Sequence, residues 1–404
     1  MTLYLDNAAT SFPKPESVYE AMDHYNRQIG VAVGRGQHRL AGEVQSVVDR
    51  CRQSAARLFN TPHPDQIVFT FNGTDSLNLA LRGVLKSGDH VITSTMEHNS
   101  VLRTLAALEQ ETGIEVTYLP ADGQGLIQID QLEESFRPNT KLVALVHASN
   151  VTGTLQPVHE ACEIAHRHNV LFLLDAAQTA GQIPIDLSQL PVDLFATPGH
   201  KGLLGPLGTG LLYINPSITD RVRSMRTGGT GTNSEDAVQP TSSPEKFESG
   251  NHNAPGIYGL AAGIDYLLEQ SVEKIRQHEL SLMQQLQSGL AQLPGLNLYG
   301  PHKPECRSGV LSINIDGFDP QDLSLILDEN FGIQTRAGFH CAPGAHRAIG
   351  TFESGGTLRL SPGPLILNLK FNWLWKRSRK YRRLTTSPIH RKTSLSGCAR
   401  FIHG

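Results

Sequence analysis

Two residues of this chain are reactive types in settings that suggest use. Lys201 follows the short apolar run Leu194-Phe195-Ala196-Thr197-Pro198-Gly199-His200 and is flanked by Gly199 and Gly202. A lysine amine can form a Schiff base with a carbonyl and move protons once released. Cys341 lies in Arg336-Ala337-Gly338-Phe339-His340-Cys341-Ala342-Pro343-Gly344-Ala345-His346, a Gly/Pro-rich loop with two histidines and an arginine. Cationic surroundings lower a thiol pKa and raise its thiolate fraction, which makes a nucleophile. Cys51, Cys162 and Cys306 lack such a setting and read as inert, buried residues. The five cysteines contain no C-x-x-C pair, which argues against a disulfide framework or a structural zinc site.

Other polar residues gather where apolar runs end. Val170–Gln178 closes with Asp175 and Gln178, and a carboxylate at the end of an apolar strand costs free energy unless it is paired. A plain helix N-cap is the competing reading of Asp175. Asn72-Gly73-Thr74-Asp75-Ser76 follows IVFTF and leads into a helix; its free backbone N–H groups and positive dipole end suit a phosphate, although most such turns are only caps. Glu97-His98-Asn99 follows HVITS, and Asn150 follows KLVALVHAS. One chemistry uses all these parts. Pyridoxal phosphate needs a lysine for the Schiff base, an acid for the pyridine nitrogen and a donor for the ring hydroxyl. It also needs a stacking ring and a helix N-terminus for phosphate. Each part is commonplace, but the set is specific.

The elements that must position these residues are legible in the pattern. Apolar runs at 67–71, 90–94, 116–120, 141–149, 170–178, 194–200 and 208–214 alternate with helical stretches at 76–86, 100–111 and 157–169. Buried strands alternating with helices imply an α/β fold with a mostly parallel sheet covered on both faces, and its ligand sits at the carboxyl ends of the strands. Amphipathic helices are expected at 16–29 and 43–59, a long Gly/Thr/Ser/Asn/Pro-rich connection at 226–256, and one long helix over 257–293. The 404 residues allow two or three domains: a large cofactor-binding domain at 1–256, a smaller C-terminal α/β domain at 257–364, and a tail at 365–404. With 39% hydrophobic and 18% charged residues, no secretory signal and no long uncharged apolar run, the reading is a reduced, cytoplasmic globular protein.

In combination, LYLDNAAT, NGTDSLN, EHNS, SNVTG, DAAQ, PGHKGLLGP, FESGNHNAPGI, TRAGFHCAPGAH and GTLRLSPGP resemble the cysteine desulfurase branch of the class-V aminotransferases. These are fold-type I pyridoxal-phosphate enzymes, and the resemblance spans roughly residues 2–364. It implies that Lys201 carries the cofactor and Asp175 pairs with its pyridine nitrogen. Gln178 and Asn150 would lie by the ring oxygen, His98 would stack on the ring and donate a proton as sulfur departs, and Gly73, Thr74 and His200 would hold phosphate. Asn251 would reach the phosphate of a neighbouring subunit, which makes a homodimer. Arg359 would clamp the substrate carboxylate, a task that suits a guanidinium fork, with Arg336 and Asn150 in the same region. A surface charge on a strand edge is the competing reading of Arg359. Cys341, on a compact loop like that of the family's short-loop group, would attack the substrate sulfur and carry it as a persulfide.

The implied reaction turns L-cysteine into L-alanine and passes sulfur to an acceptor protein for iron–sulfur or other uses. No metal, nucleic acid or membrane takes part. Selenocysteine lyase and cysteine-sulfinate desulfinase use nearly the same site, and assays on the three amino acids separate them. A plain transaminase has no use for Cys341. Two positions depart from the family pattern: Pro198 stands where relatives often have Ser or Thr, with Thr197 as the substitute hydroxyl, and Asn251 stands where many have Thr.

Charge reverses at the end. Residues 365–404 hold ten Lys and Arg, no Asp or Glu and both tryptophans of the chain, leaving 25 basic against 38 acidic residues before them. Such a block reads as a nucleic-acid or acidic-membrane arm, but a reading-frame slip accounts for more. Back-translating the tail with degenerate codons and moving the frame one base upstream permits Phe-Asn-Thr-Glu directly after Pro364, then an acidic amphipathic helix like that of the family. A slipped tail is expected to be poorly ordered, to weaken the hold on Arg359 and Cys341, and at the extreme to leave a cofactor-binding protein without turnover. Resequencing around codon 364 checks this. A missing base is the expected result, and an intact frame with a folded, active product restores the basic arm.

Overall fold

The structure is a computed structural model and describes residues 2–34, 36–232, 235–291 and 293–366. In chain order the described elements are β1 (Leu3–Tyr4), α1 (Glu16–His24), α2 (Arg39–Leu58), β2 (Ile67–Thr70), α3 (Gly73–Val84), β3 (His90–Ser94), α4 (Asn99–Thr112) and β4 (Glu115–Leu119). Then come α5 (Asp130–Glu134), β5 (Thr140–Val146), α6 (Val158–Arg167), β6 (Leu171–Asp175), β7 (Leu194–Pro198) and β8 (Gly210–Ile214). The rest are α7 (Ala254–Gln270), α8 (Val272–Leu290), β9 (Leu296–Tyr299), β10 (Leu311–Ile315), α9 (Pro320–Phe331), β11 (Ile333–Gln334), β12 (Arg336–Gly338), α10 (Pro343–Ala348) and β13 (Thr357–Leu360).

Strands β2 to β8 form one sheet in the order β2-β8-β7-β6-β5-β3-β4. Its pairs are parallel from β4 through β7, while β8 runs antiparallel to both β7 and β2. Every residue of β2, β3, β6, β7 and β8 is buried, as expected for apolar runs covered on both faces. Neighbouring side chains alternate between the two faces, Val146 at the end of β5 being the exception. Val143, Leu145, Phe172, Leu174, Phe195 and Leu211 pack with residues of α2, α6 and α7, whereas Leu142, Ala144, Leu171, Leu173, Leu194 and Leu212 pack with residues of α3 and α4. Among the described residues, no helix is long and apolar enough to cross a membrane.

A second sheet, β12-β13-β10-β9, is built from the later part of the chain. Its core joins Leu311, Ile313, Leu358 and Leu360 to Leu282, Met283 and Leu286 of α8. The N-terminus belongs to this layer too. β1 pairs in parallel with β11, Leu5 and Asp6 run beside Ser361, and residues 7–14 then cross to the large sheet.

Two expectations change. The single helix expected over 257–293 is two, because Ser271 adopts φ 65° and its hydroxyl caps α8 by accepting the Lys274 N–H. Helical periodicity runs through such a break, since both helices bury an apolar stripe. Leu365 and Ile366, assigned to the tail, are part of the described fold: Ile366 is buried in the small-sheet core and its carbonyl accepts from His278 Nε2 at 2.9 Å. The reading-frame and order expectations for the remaining tail lie outside the described residues.

No helix or strand is found between Val222 and Asn253 among the described residues, and this long connection is anchored by one buried ion pair. Arg52 of α2 meets both carboxylate oxygens of Glu248, donates to the Ile67 carbonyl and lies 4.3 Å from the Phe69 ring centroid. Glu248 also accepts the Phe69 N–H and contacts His252 Nε2 at 3.2 Å. Burial alone would raise the Glu248 pKa, but Arg52 and His252 outweigh it and hold the group at about 2. Its folded pKa is therefore depressed, and the stability it adds is present above the ordinary carboxyl range and lost as pH falls toward about 2. Arg52→Ala is expected to destabilise the fold by about 3–5 kcal/mol, because Glu248 would be left buried without its partner. Denaturant titration at neutral pH measures this, and a loss near zero would refute the assignment.

Candidate active site

A cavity of about 220 Å³ opens at the carboxyl ends of β5, β6 and β7, walled by the N-terminal turns of α3 and α4 and by residues from the small sheet. Lys201 follows β7 and Asp175 ends β6, so adjacent strands deliver the cation and the anion to the same floor. Burial, with Arg359 and Arg336 nearby, lowers the Lys201 amine to about 8, while Asp175 pulls it up. Burial raises the Asp175 carboxyl, opposed by the Ala177 N–H at 2.9 Å and by Lys201. The helix N-cap reading of Asp175 fails, since β6 is followed by a turn rather than a helix.

One end of the cavity suits an anion. α3 begins at Gly73, with Asn72 as its N-cap accepting the Asp75 N–H. That leaves the first-turn amides of Gly73 and Thr74 without intrahelical acceptors. A Cβ on Gly73 would come within 3.1 Å of the Pro198 ring, so glycine lets this turn approach the end of β7. The Thr74 and Ser100 hydroxyls are bonded at 2.7 Å, and the buried His200 Nδ1 has no protein partner. Burial, then Lys201 and Lys14, lowers His200 to about 4. The His200 carbonyl accepts from Ser11 N, Ser11 Oγ and Thr10 Oγ1 at 3.0–3.1 Å, which ties the approach to Lys201 to the N-terminal segment. Gln178 Nε2 donates to the Ala8 carbonyl at 3.1 Å, a second tie to that segment.

His98 is the N-cap of α4 and lines the cavity. Its Nδ1 accepts the Ser100 N–H at 3.1 Å, so the neutral ring carries its proton on Nε2. Burial, then Lys201 and the arginines, lowers it to about 4.

The opposite end is cationic. Arg359 on β13 and Arg336 on β12 face each other across the antiparallel pair. Arg359 is 1% exposed, which excludes a surface charge; it donates to Asp6 Oδ1 at 2.6 Å and to the Asn150 carbonyl at 3.1 Å. Arg336 Nη2 lies 3.7 Å from Cys341 Sγ. His340 and Cys341 both have positive φ, 48° and 60°, a conformation that costs L-residues about 1–2 kcal/mol each. Asn150 Nδ2 holds the His340 carbonyl at 2.6 Å and Asn99 N–H holds the Cys341 carbonyl at 2.7 Å.

Gly73, Thr74, His98, Asn150, Asp175, Gln178, His200, Lys201, Arg336 and Arg359 thus line one cavity, with Cys341 at its edge against Arg336. Asn251 does not; it is exposed and lines a separate depression with Phe71, Arg226 and Glu248. Thr197 is not the substitute hydroxyl. It turns to the opposite face of β7 from Pro198, and its Oγ1 lies 3.3 Å from the Pro198 carbonyl. Cys51 and Cys162 are buried, and burial pushes both up to about 12, but Cys306 is exposed on a turn rather than buried. Sequence reasoning misses Ser100 and Asp6. Ser100 stands two residues after His98 at a helix start, and Asp6 is the acid of LYLDNAAT; those positions are the signals that could have found them.

A family model for aminotransferase class V matches residues 3–365. Relatives named probable cysteine desulfurase include one from Methanothermobacter thermautotrophicus, 36% identical over 89% of each chain, and one from Halalkalibacterium halodurans, 37% identical over 84% of each. An apo cysteine desulfurase structure from Thermococcus onnurineus NA1 superposes with a TM-score of 0.88 at 33% identity, covering 95% of each chain. The chain belongs to the class-V aminotransferase family, whose members are generally pyridoxal-phosphate enzymes.

The Cys341 loop rests on the β3–α4 connection. A Cβ on Gly344 would collide with the Thr95 carbonyl oxygen. Gly344→Ala is expected to destabilise by about 1–3 kcal/mol through overpacking and to change the alkylation rate of Cys341. Unchanged values of both would mean that the loop does not rest there.

Proposed function

We propose that this protein is a pyridoxal-phosphate-dependent cysteine desulfurase that converts L-cysteine to L-alanine and takes the sulfur onto Cys341. The observation that carries the reading is one cavity floored by Lys201 and Asp175, with Arg359 and the Arg336–Cys341 pair at one end. The residues fit the cofactor. The orphaned His200 Nδ1, the free amides of Gly73 and Thr74 and the Thr74 hydroxyl form a phosphate cradle, and a buried acid lies by Lys201 at the floor. When bound, pyridoxal phosphate would supply a protonated ring that takes up electrons as the substrate Cα–H bond breaks, weakening the Cβ–S bond.

The chain's own groups divide the remaining work. Asp175 would keep the pyridine nitrogen of the bound group protonated. With its pKa at about 8, Lys201 has an appreciable neutral fraction near neutral pH, so its amine can bond a carbonyl, then hold the Cα proton and return it. Arg359 is oriented by Asp6 and the Asn150 carbonyl and keeps N–H groups for the substrate carboxylate. His98, with its proton on Nε2, would stack on the bound ring and supply the proton that the substrate carbon takes up as sulfur leaves it. Gln178 and Asn150 would serve the ring oxygen. Cys341 thiolate, beside the Arg336 guanidinium, attacks the substrate sulfur as the Cβ–S bond breaks with its electron pair going to carbon, and the resulting persulfide passes its outer sulfur to an acceptor protein. Arg336 also favours a second substrate, since a guanidinium by the sulfur position matches an anionic cysteine sulfinate. The subunits pair, with Asn251 serving the partner's phosphate, and the enzyme works in the cytoplasm.

Lys201→Ala is expected to remove the visible absorbance of the protein loaded with cofactor. Cys341→Ala should keep that absorbance while alanine formation from cysteine falls to background. Full activity of Cys341→Ala would replace the desulfurase by a lyase that expels sulfur without covalent help. Sedimentation should give a dimer, and a fully active monomer would refute the role of Asn251.

A further inference from the structure

Glu97 is fully buried beside this cavity, yet the mechanism above does not use it. Its Oε1 accepts from Ser94 Oγ at 2.6 Å and from the Val146 N–H at 3.1 Å, and its Oε2 has no protein partner. Those two bonds join the end of β3 to the end of β5. The residues around Glu97 serve both halves of the site. Thr95 supplies the carbonyl on which Gly344 rests, His98 lines the cavity, and the Asn99 N–H holds the Cys341 carbonyl.

We propose that Glu97 is a positioning residue that works as a neutral carboxylic acid, clamping the Thr95–Asn99 segment to β5 so that His98 and the Cys341 loop keep a fixed separation. A carboxylate in this place would bury a charge with one oxygen lacking a donor, whereas the acid form is far cheaper to bury. The charged group facing it is Asp175, on the neighbouring strand and paired in register with Val146; a second anion there would repel the carboxylate that the cofactor ring needs. β3 presents only the Ser94 hydroxyl to it and β5 the Val146 amide, and His98 on its own segment is neutral. Burial accordingly pushes the Glu97 carboxyl up to about 8, with the Ser94 and Val146 hydrogen bonds pulling the other way.

A folded-state pKa above the unfolded value means that stability from this group is complete below the ordinary carboxyl range and is lost as pH rises to about 8. Glutamine keeps an Oε1 acceptor and never ionises. The melting temperature of Glu97→Gln should therefore gain on wild type between about pH 5 and about pH 8.5. In turnover at neutral pH, Glu97→Ala should lose about tenfold, and Glu97→Gln should recover most of that loss.

The kinetic arm rests on the desulfurase reading. The melting arm, and the alkylation rate of Cys341 in a Cys306→Ser, Cys398→Ser background, do not, so the two ideas can fail separately. Alkylation should change in Glu97→Ala and return toward wild type in Glu97→Gln. A melting difference that is flat with pH would show Glu97 ionised in the fold and overturn the proposal. So would a Glu97→Gln variant as impaired as Glu97→Ala, or a Glu97→Ala variant that matches wild type in turnover and alkylation.

Discussion

A lysine and an aspartate must be buried together at the floor of one cavity, and much of the architecture follows from that constraint. Separately, each ion would be expensive to desolvate. Placed at the ends of adjacent parallel strands, β6 and β7, they moderate one another: Asp175 draws Lys201 upward and Lys201 draws Asp175 downward. The strands can bring them there because their other residues are apolar and covered on both faces. The N-terminal segment completes the floor. Its Thr10 and Ser11 donors converge on the His200 carbonyl, and Ala8 receives Gln178.

The sulfur-handling side is organised by hydrogen bonds between the sheets. Asn150 accepts from Arg359 through its carbonyl and donates to the His340 carbonyl through its side chain, so one residue after β5 aligns both the carboxylate clamp and the thiol loop. The two left-handed residues at His340 and Cys341 are held in place by those carbonyl contacts rather than by local preference. Histidine protonation is suppressed throughout the cavity. His98 and His200 are lowered to about 4 and His340 well below its ordinary range, each chiefly by burial. The fixed positive charge is left to Arg336 and Arg359, where an amino acid's carboxylate and sulfur are to be received.

Much of this is legible in the residues. The apolar runs that form β3 and β7 are unambiguous, and a parallel sheet places whatever follows such runs at one edge, so the pattern of apolar runs by itself groups Asp175, Asn150, His98 and Lys201. What stays hidden depends on side-chain direction and tertiary pairing. Strand alternation turns Thr197 away from Pro198, a consequence of one residue of register. The break at Ser271 leaves the apolar period intact, so periodicity runs through it. Cys306 looks like any buried cysteine in sequence, but its loop carries it outward. Asp6, Ser100 and Glu97 matter through partners that are distant in the chain or at the end of another strand, and a single sequence does not contain those pairings.

Everything proposed for the reaction depends on Cys341 receiving the substrate sulfur. Peptide mass spectrometry of the cofactor-loaded protein, quenched after one turnover with L-cysteine and without reductant, measures this directly. The expected result is one added sulfur atom on the peptide containing Cys341, in step with the alanine formed. Alanine formed with the added sulfur on Cys51, Cys162, Cys306 or Cys398, or with none on any cysteine, would contradict it.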